Sequence, residues 1–228
     1  MTFAIAPHAI PGIPVAGTDM RFPVHRIYCI GRNYADHAAE MCSAVERVNP
    51  IFFNKPADAI VINNGDVPYP PATKELHHEV EMIVALATGG RDIAVADALD
   101  HVYAYGVGLD LTRRDLQSIA KAKGNPWDTA KGFDCSAPVS DLHRVSEIGH
   151  PGNSRLVLKV NGELRQKTET DMMIFSVAEI IHLLSGLFEL QSGDLIYTGT
   201  PAGVALLERG DRYHAELEGV ATLEGHVI

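Results

Sequence analysis

Two carboxylates two residues apart, Glu79 and Glu81, stand at the head of an aliphatic run that ends at Leu86. The run has the β-branched and aliphatic composition of a buried strand and contains no Gly or Pro. Strand alternation puts Glu79 and Glu81 on one face, and Val80, Met82, Val84 and Leu86 on the other, toward a core. Neighbouring carboxylates repel unless a cation or a shared proton lies between them. A second strand-like run, residues 103–110, ends in a third carboxylate, Asp110. Gly106 and Gly108 share the face of Asp110 and are expected to leave it clear of side chains. Glu79, Glu81 and Asp110 together would form an all-oxygen site with open positions, which suits Mg²⁺ or Mn²⁺ rather than zinc. On alternation alone a solvated strand face is the better reading; the neighbouring motifs reverse it.

His37 and Glu40 lie three apart, on one face of a helix if one forms. A carboxylate bonded to a histidine fixes its tautomer and raises its basicity, as a general base requires. An isolated pair of this spacing is more often a surface contact. Lys131 sits among apolar and small residues in 127–133 and would suit an oxyanion or a substrate carboxylate, or else snorkel to the surface. Arg32, Lys55, Arg113 and Arg114 are further basic groups. The loop Thr198 to Gly203 offers backbone N–H groups and two hydroxyls after a strand, a possible anion cradle or an ordinary tight turn, and it lacks the nucleotide P-loop pattern. His77 and His78 raise zinc as an option, but no H-E-x-x-H is present. Only His77 could share the ligand face, where a structural role weighs as much.

The elements that must position these groups read as follows. The chain of 228 residues allows one large domain or two small ones. Residues 1–22 read as an extended arm and 23–228 as a single domain. Asn33 can cap a helix through about Cys42, followed by a looser stretch, 43–50. Thr112 and Asp115 resemble a capping box opening a helix to Lys123, stopped by Gly124. Residues 141–154 read as a surface loop. Asn161-Gly162 marks a hairpin. Ser176 and Glu179 form a capping box for a helix expected to end at Gly186. Leu195 to Tyr197 is a strand feeding the 198–203 loop. Strands outnumber helices and do not alternate with them, so the fold class is mixed α/β, β-rich, with a few covering helices.

The formal net charge of −10 makes nucleic acid and anionic membranes poor partners. An anionic substrate would therefore need a local positive site. Three cysteines (Cys29, Cys42 and Cys135) without a C-x-x-C pair argue against a disulfide framework or structural zinc, and for a reducing compartment. No stretch has the pattern of a signal peptide or the length of a membrane span, so a cytoplasmic protein is expected.

Taken in order, these pieces resemble the fumarylacetoacetate hydrolase family. The resemblance is carried by Gly31 to Tyr34 with His37 and Glu40, by Lys55-Pro56, and by His77 to Glu81. It continues through Gly108 to Gln117, Ala130 to Asp134, Ser192 to Asp194, and Thr198 to Gly203. It spans roughly residues 24 to 228. It is closest to the acylpyruvase branch and the fumarylpyruvate hydrolases, through Phe52 to Ala59 and Pro126 to Asp128. The resemblance implies a β-roll, a homodimer, and Glu79, Glu81 and Asp110 as ligands of Mg²⁺ or Mn²⁺. It implies His37 and Glu40 as a water-activating dyad on a lid, Lys131 as the catalytic lysine, and Arg32, Lys55, Arg114, Gln117 and Thr200 as substrate contacts. The implied reaction is hydrolysis of the C–C bond of an acylpyruvate, foremost 3-fumarylpyruvate to fumarate and pyruvate, with a small anionic keto acid as the substrate. Decarboxylation of oxaloacetate, a hydratase or enol–keto tautomerase activity, or hydrolysis of another acylpyruvate, would use the same groups. A non-catalytic dicarboxylate-binding protein is a further reading.

Overall fold

The computed structural model describes residues 2–36 and 50–228. The strands of its main sheets are, in chain order, β1 (Ile27–Gly31), β2 (Ile51–Lys55), β3 (Val80–Leu86), β4 (Val102–Leu109), β5 (His143–Arg144), β6 (Arg155–Val160), β7 (Glu163–Glu169), β8 (Leu195–Tyr197), β9 (Arg212–Leu217) and β10 (Ala221–His226). Among the described residues, one sheet has six strands in the order β5-β4-β3-β8-β1-β2. Only β8 and β1 run parallel in it. The other main sheet has four antiparallel strands in the order β7-β6-β9-β10.

The central strand β3 is buried on both faces along its whole length. Val80, Met82, Val84 and Leu86 face the four-stranded sheet and pack with Leu156, Leu158, Val160, Ala215 and Leu217. Ile83 and Ala85 face the other way, into a second core. Fully burying such a side chain contributes roughly 1.5–3 kcal/mol, so packing on both sides fixes this strand, and the carboxylates at its head inherit a set position.

The second core corrects two expectations. Residues 12–23 are not a free arm. Gly12–Pro14 and Arg21–Pro23 pair as an antiparallel ribbon, and Ile13, Val15 and Phe22 seal the lower face of the six-stranded sheet. Nor do Gly106 and Gly108 clear space for a ligand. A Cβ at Gly108 would lie 2.8 Å from the Pro138 carbonyl oxygen and 3.0 Å from Ile83, and one at Gly106 would lie 2.9 Å from Ser140 Oγ. These glycines admit the 137–142 segment against the sheet, where the Ser140 hydroxyl takes up the Val107 N–H.

Helices cover the sheets: α1 (Arg114–Lys123), the single turns α2 (Asp128–Lys131) and α3 (Val145–Ile148), and α4 (Val177–Leu187). Helix α4 has the expected capping box, with Glu179 N–H donating to Ser176 Oγ and Ser176 N–H to Glu179 Oε2. It runs one residue past Gly186. Helix α1 ends at Gly124 as expected, in the left-handed conformation. Its start differs. Thr112 lies in a two-residue strand paired with His77, and Asp115 accepts from Thr73 Oγ1 and the Lys74 N–H, tying α1 to the 73–77 segment. The stretch 141–154 holds β5 and α3 rather than plain loop. Asn161-Gly162 makes the two-residue hairpin turn with both φ angles positive, at 53° and 83°. No described helix is long and apolar enough to cross a membrane.

Candidate active site

The register of β3 and β4 assembles three carboxylates. Glu81 pairs with Gly108, and the Asp110 N–H donates to the Glu79 carbonyl at 2.8 Å. Glu79, just before β3, and Asp110, just after β4, thus join Glu81 on one face. One oxygen of each lies within 4.8 Å of the others, and all three side chains are buried. This is the all-oxygen set expected from the sequence.

Three buried cations surround them. Lys131, on α2, places its ammonium 2.7 Å from Glu79 Oε2, 2.6 Å from Asp110 Oδ2 and 2.7 Å from Thr112 Oγ1. An ammonium has three N–H donors, so all of them have acceptors here. Lys131 therefore holds the carboxylates in place, and would serve an oxyanion only by giving up one of these bonds. Lys55, at the end of β2, lies 2.8 Å from Asp110 Oδ1 and donates to the carbonyls of Leu111 and Lys131. Its side chain is closed to solvent and does not line the pocket. The expected substrate contact is thus a buried brace behind Asp110. Arg114 lies on the same face of α1 as Gln117, and donates to Glu79 Oε1, to Gln117 Oε1 and, at 3.4 Å, to His77 Nδ1.

The fourth side of the cluster is backbone. Gly199 donates its N–H to Glu81 Oε2 at 2.7 Å. Gly199 has φ 93°, and a Cβ there would stand 2.6 Å from Asn33 Cβ, so only glycine brings this N–H to the carboxylate. Asn33 is not spent on a helix cap. Its amide nitrogen donates to the Phe175 and Thr198 carbonyls and its oxygen accepts the Phe175 N–H, which clamps the 198–203 loop from behind. The loop expected to cradle an anion thus cradles the protein's own Glu81.

Burial pushes the Glu81 carboxyl well above the usual carboxylate range, and Asp110 and Glu79 add to the effect. Burial alone would lower the Lys131 ammonium, but Asp110 and Glu79 outweigh it and hold its pKa above the ordinary lysine value. His77 is driven down to about 4 by burial and then by Arg114. Neither histidine belongs to the carboxylate cluster: His78 turns its Nδ1 to Gln166 Oε1 at 2.9 Å.

In front of the carboxylates is a cavity of about 30 Å³, lined by Arg32, Arg114, Gln117, Lys121, Trp127, Lys131 and Thr200 among others. That is room for a cation. It adjoins an open cleft of about 370 Å³ bounded by Phe53, Asn54, Asn125 and Trp127, sharing Phe53, Trp127 and Lys131 with it. Arg32 reaches the rim from a left-handed backbone position, φ 62°. Hard oxygen donors, a repulsion that calls for a cation, and space for one make the residues present fit Mg²⁺ or Mn²⁺. His37 and Glu40 lie outside the described residues.

Sequence reading missed Gln166 and the part Thr112 plays at the site, where it accepts from Lys131 rather than capping a helix. Gln166 is inside because β7 carries a bulge: Lys159 faces Leu164 while Leu158 faces Gln166, leaving Arg165 as the extra residue.

These features define a β-rich roll with a buried carboxylate cluster suited to a divalent cation, opening on a small-molecule pocket. The chain belongs to the fumarylacetoacetate hydrolase family: the family described as Fumarylacetoacetate (FAA) hydrolase C-terminal matches residues 26–228. Among solved structures, the fumarylpyruvate hydrolase of Pseudomonas aeruginosa in complex with Mn²⁺ and pyruvate is similar over 100% of this chain and 99% of that one. Its TM-score is 0.97 at 44% identity. A candidate fumarylpyruvate hydrolase from Burkholderia cenocepacia is 50% identical with a TM-score of 0.93, over 100% of this chain and 98% of the other. The mitochondrial oxaloacetate tautomerase FAHD1 of Bos taurus is 44% identical over 198 residues, 87% of this chain and 89% of that protein.

Proposed function

We propose that the protein hydrolyses the C–C bond of an acylpyruvate, with 3-fumarylpyruvate as the favoured substrate and fumarate and pyruvate as products, a step in the breakdown of aromatic compounds through gentisate. The observation that carries this reading is a charge balance. With all three carboxylates ionised, Glu79, Glu81 and Asp110 are matched by Lys55, Lys131 and Arg114. Among the described residues these paired groups are then neutral, and a divalent ion would add two positive charges beside Arg32, suited to a substrate with a carboxylate at each end. The adjoining cleft supplies room for an acyl chain beyond the keto-acid end. The Pseudomonas aeruginosa neighbour, which holds Mn²⁺ and pyruvate, supports the same reading.

Glu79, Glu81 and Asp110 would hold Mg²⁺ or Mn²⁺, which when bound supplies Lewis acidity toward the keto-acid end of the substrate. Arg114, Gln117 and Thr200 line the pocket where the substrate carboxylate is bound. Lys131 fixes Glu79 and Asp110 and yields one N–H to charge developing on the acyl oxygen. His37, oriented by Glu40, takes the proton of the attacking water. The water oxygen bonds to the acyl carbonyl carbon, and the C–C bond to the pyruvate fragment breaks. Its electron pair leaves with that fragment, which is then protonated. The protein acts in the cytoplasm as a homodimer.

A second reading, tautomerisation of oxaloacetate, is favoured by the likeness to FAHD1. It needs proton transfer and no attacking water, and oxaloacetate decarboxylation likewise needs none. The test is a substrate panel with Mn²⁺ and an EDTA control. EDTA-sensitive cleavage of fumarylpyruvate, with little change in oxaloacetate and loss of cleavage in His37→Ala, is the expected result. Oxaloacetate turnover with fumarylpyruvate untouched would move the function to the second reading.

A further inference from the structure

Gln166, a residue of the four-stranded sheet, ties the strand bearing Glu81 to the loop bearing Thr200. It is 1% exposed. Its Oε1 lies 3.1 Å from the Val80 nitrogen and 2.9 Å from His78 Nδ1, and its Nε2 lies 2.8 Å from Thr200 Oγ1 and 2.9 Å from the Pro201 carbonyl oxygen. These are the four hydrogen bonds a glutamine amide can make.

Their directions follow from one fixed donor. The Val80 N–H can only donate, so the atom facing it is the amide oxygen. The other end is therefore the NH₂ group, and the Pro201 carbonyl, which can only accept, agrees. The NH₂ then donates to Thr200 Oγ1. With a lone pair of that oxygen taken on the inner side, the Thr200 hydroxyl turns its own proton elsewhere, and Thr200 lines the pocket before Glu79, Glu81 and Asp110. A carboxylate ligand only accepts hydrogen bonds, so a hydroxyl set as a donor is what it needs.

The loop is seated closely on the Gln166 strand. Gly203 has φ 95°, and a Cβ there would fall 2.2 Å from the carbonyl oxygen of Arg165. The bulge that leaves Arg165 unpaired is what turns Gln166 inward. Fold and hydrogen bonding thus converge on one small device.

We propose that Gln166 is a positioning residue for anion recognition: it holds the Thr200 hydroxyl as a donor toward the carboxylate of a keto-acid ligand. The inference rests on the keto-acid reading of the pocket and adds to it a residue that touches no ligand. The decisive change is Gln166→Glu. A buried carboxyl still accepts from Val80 and His78 but carries at most one O–H, which the Pro201 carbonyl takes, so it has no donor left for Thr200 and draws the Thr200 proton inward and away from the ligand.

The experiment is calorimetric titration of the Mn²⁺-loaded protein with pyruvate, with Mn²⁺ affinity measured separately. Thr200→Val and Gln166→Glu should each weaken pyruvate binding by about tenfold. The double variant should be no weaker than either single variant, Thr200→Ser should bind like the parent, and Mn²⁺ affinity should hold within about threefold. If Gln166→Glu does not fold, Gln166→Met takes its place and should weaken pyruvate in the same non-additive way. Additive losses in the double variant, or unchanged pyruvate affinity in the Gln166 variant, would overturn the relay. Unchanged affinity in Thr200→Val would overturn it too, while leaving acylpyruvate cleavage intact. Failure of the parent to cleave fumarylpyruvate while the coupling holds would sink the hydrolase reading alone.

Discussion

Lys55 Nζ lies 2.8 Å from Asp110 Oδ1, and both side chains are shut off from solvent. A buried ion pair is expensive to break, because the remaining charge has no water to turn to. Lys55→Met should therefore destabilise the protein by about 3–5 kcal/mol, read as a shifted midpoint in urea unfolding. A direct substrate contact would behave differently, raising KM while leaving the unfolding curve in place.

Among the described residues Glu81 has one backbone donor, Gly199, and two carboxylate neighbours, so a cation has most to offer it. Glu81→Ala should weaken Mn²⁺ binding by more than about 100-fold, since even outer-shell changes commonly cost 10–100-fold. Calorimetry decides this, and unaltered affinity would remove Glu81 from the ligand set. In the parent protein, Mn²⁺ should raise the melting temperature and EDTA should reverse the gain.

Lys131 would compete with a metal for the same oxygens of Glu79 and Asp110. Lys131→Met should thus separate two properties. Mn²⁺ should bind at least as tightly, because a neighbouring positive charge is gone. Turnover should fall by about 100-fold or more, and the metal-free protein should lose stability through its unmatched carboxylates. Wild-type turnover in this variant would exclude Lys131 from the chemistry.

His77 sets an acid limit on stability. Burial and then Arg114 lower its pKa from 6.5 to about 4. Between those values the unfolded chain takes up a proton that the folded chain refuses. The histidine's full contribution is present above about pH 6.5 and is lost as pH falls toward 4. The ring is only partly buried, so solvent reduces the size of the effect. Melting temperature followed from pH 7 to 4 should fall less steeply in His77→Gln than in the parent. Parallel curves would show that this ring does not set the slope.

Much of the site was legible in the sequence because it depends on alternation. Two residues apart in an extended segment means one face, so Glu79, just before β3, converges with Glu81, and Asp110 followed from the pairing of β3 with β4. Local hydrogen-bonding signals held for the same reason: the Ser176 capping box and the Asn161-Gly162 turn close within four residues. The family resemblance added the roles of groups that no local pattern could assign.

What tertiary structure alone decided was which polar groups are already partnered. Lys55 and Lys131 look alike as basic residues of a candidate pocket, yet one is shut behind Asp110 and the other has all its donors on acceptors of the site. Gly106 and Gly108 looked like space for a ligand and proved to be space for the 137–142 segment. The ribbon of residues 12–23 covers a sheet face whose strands come from distant parts of the chain. Gln166 points inward only because a bulge shifts its strand by one residue. Each of these depends on a contact between residues far apart in sequence, and burial and hydrogen-bond satisfaction at such contacts are fixed only once the chain has closed on itself.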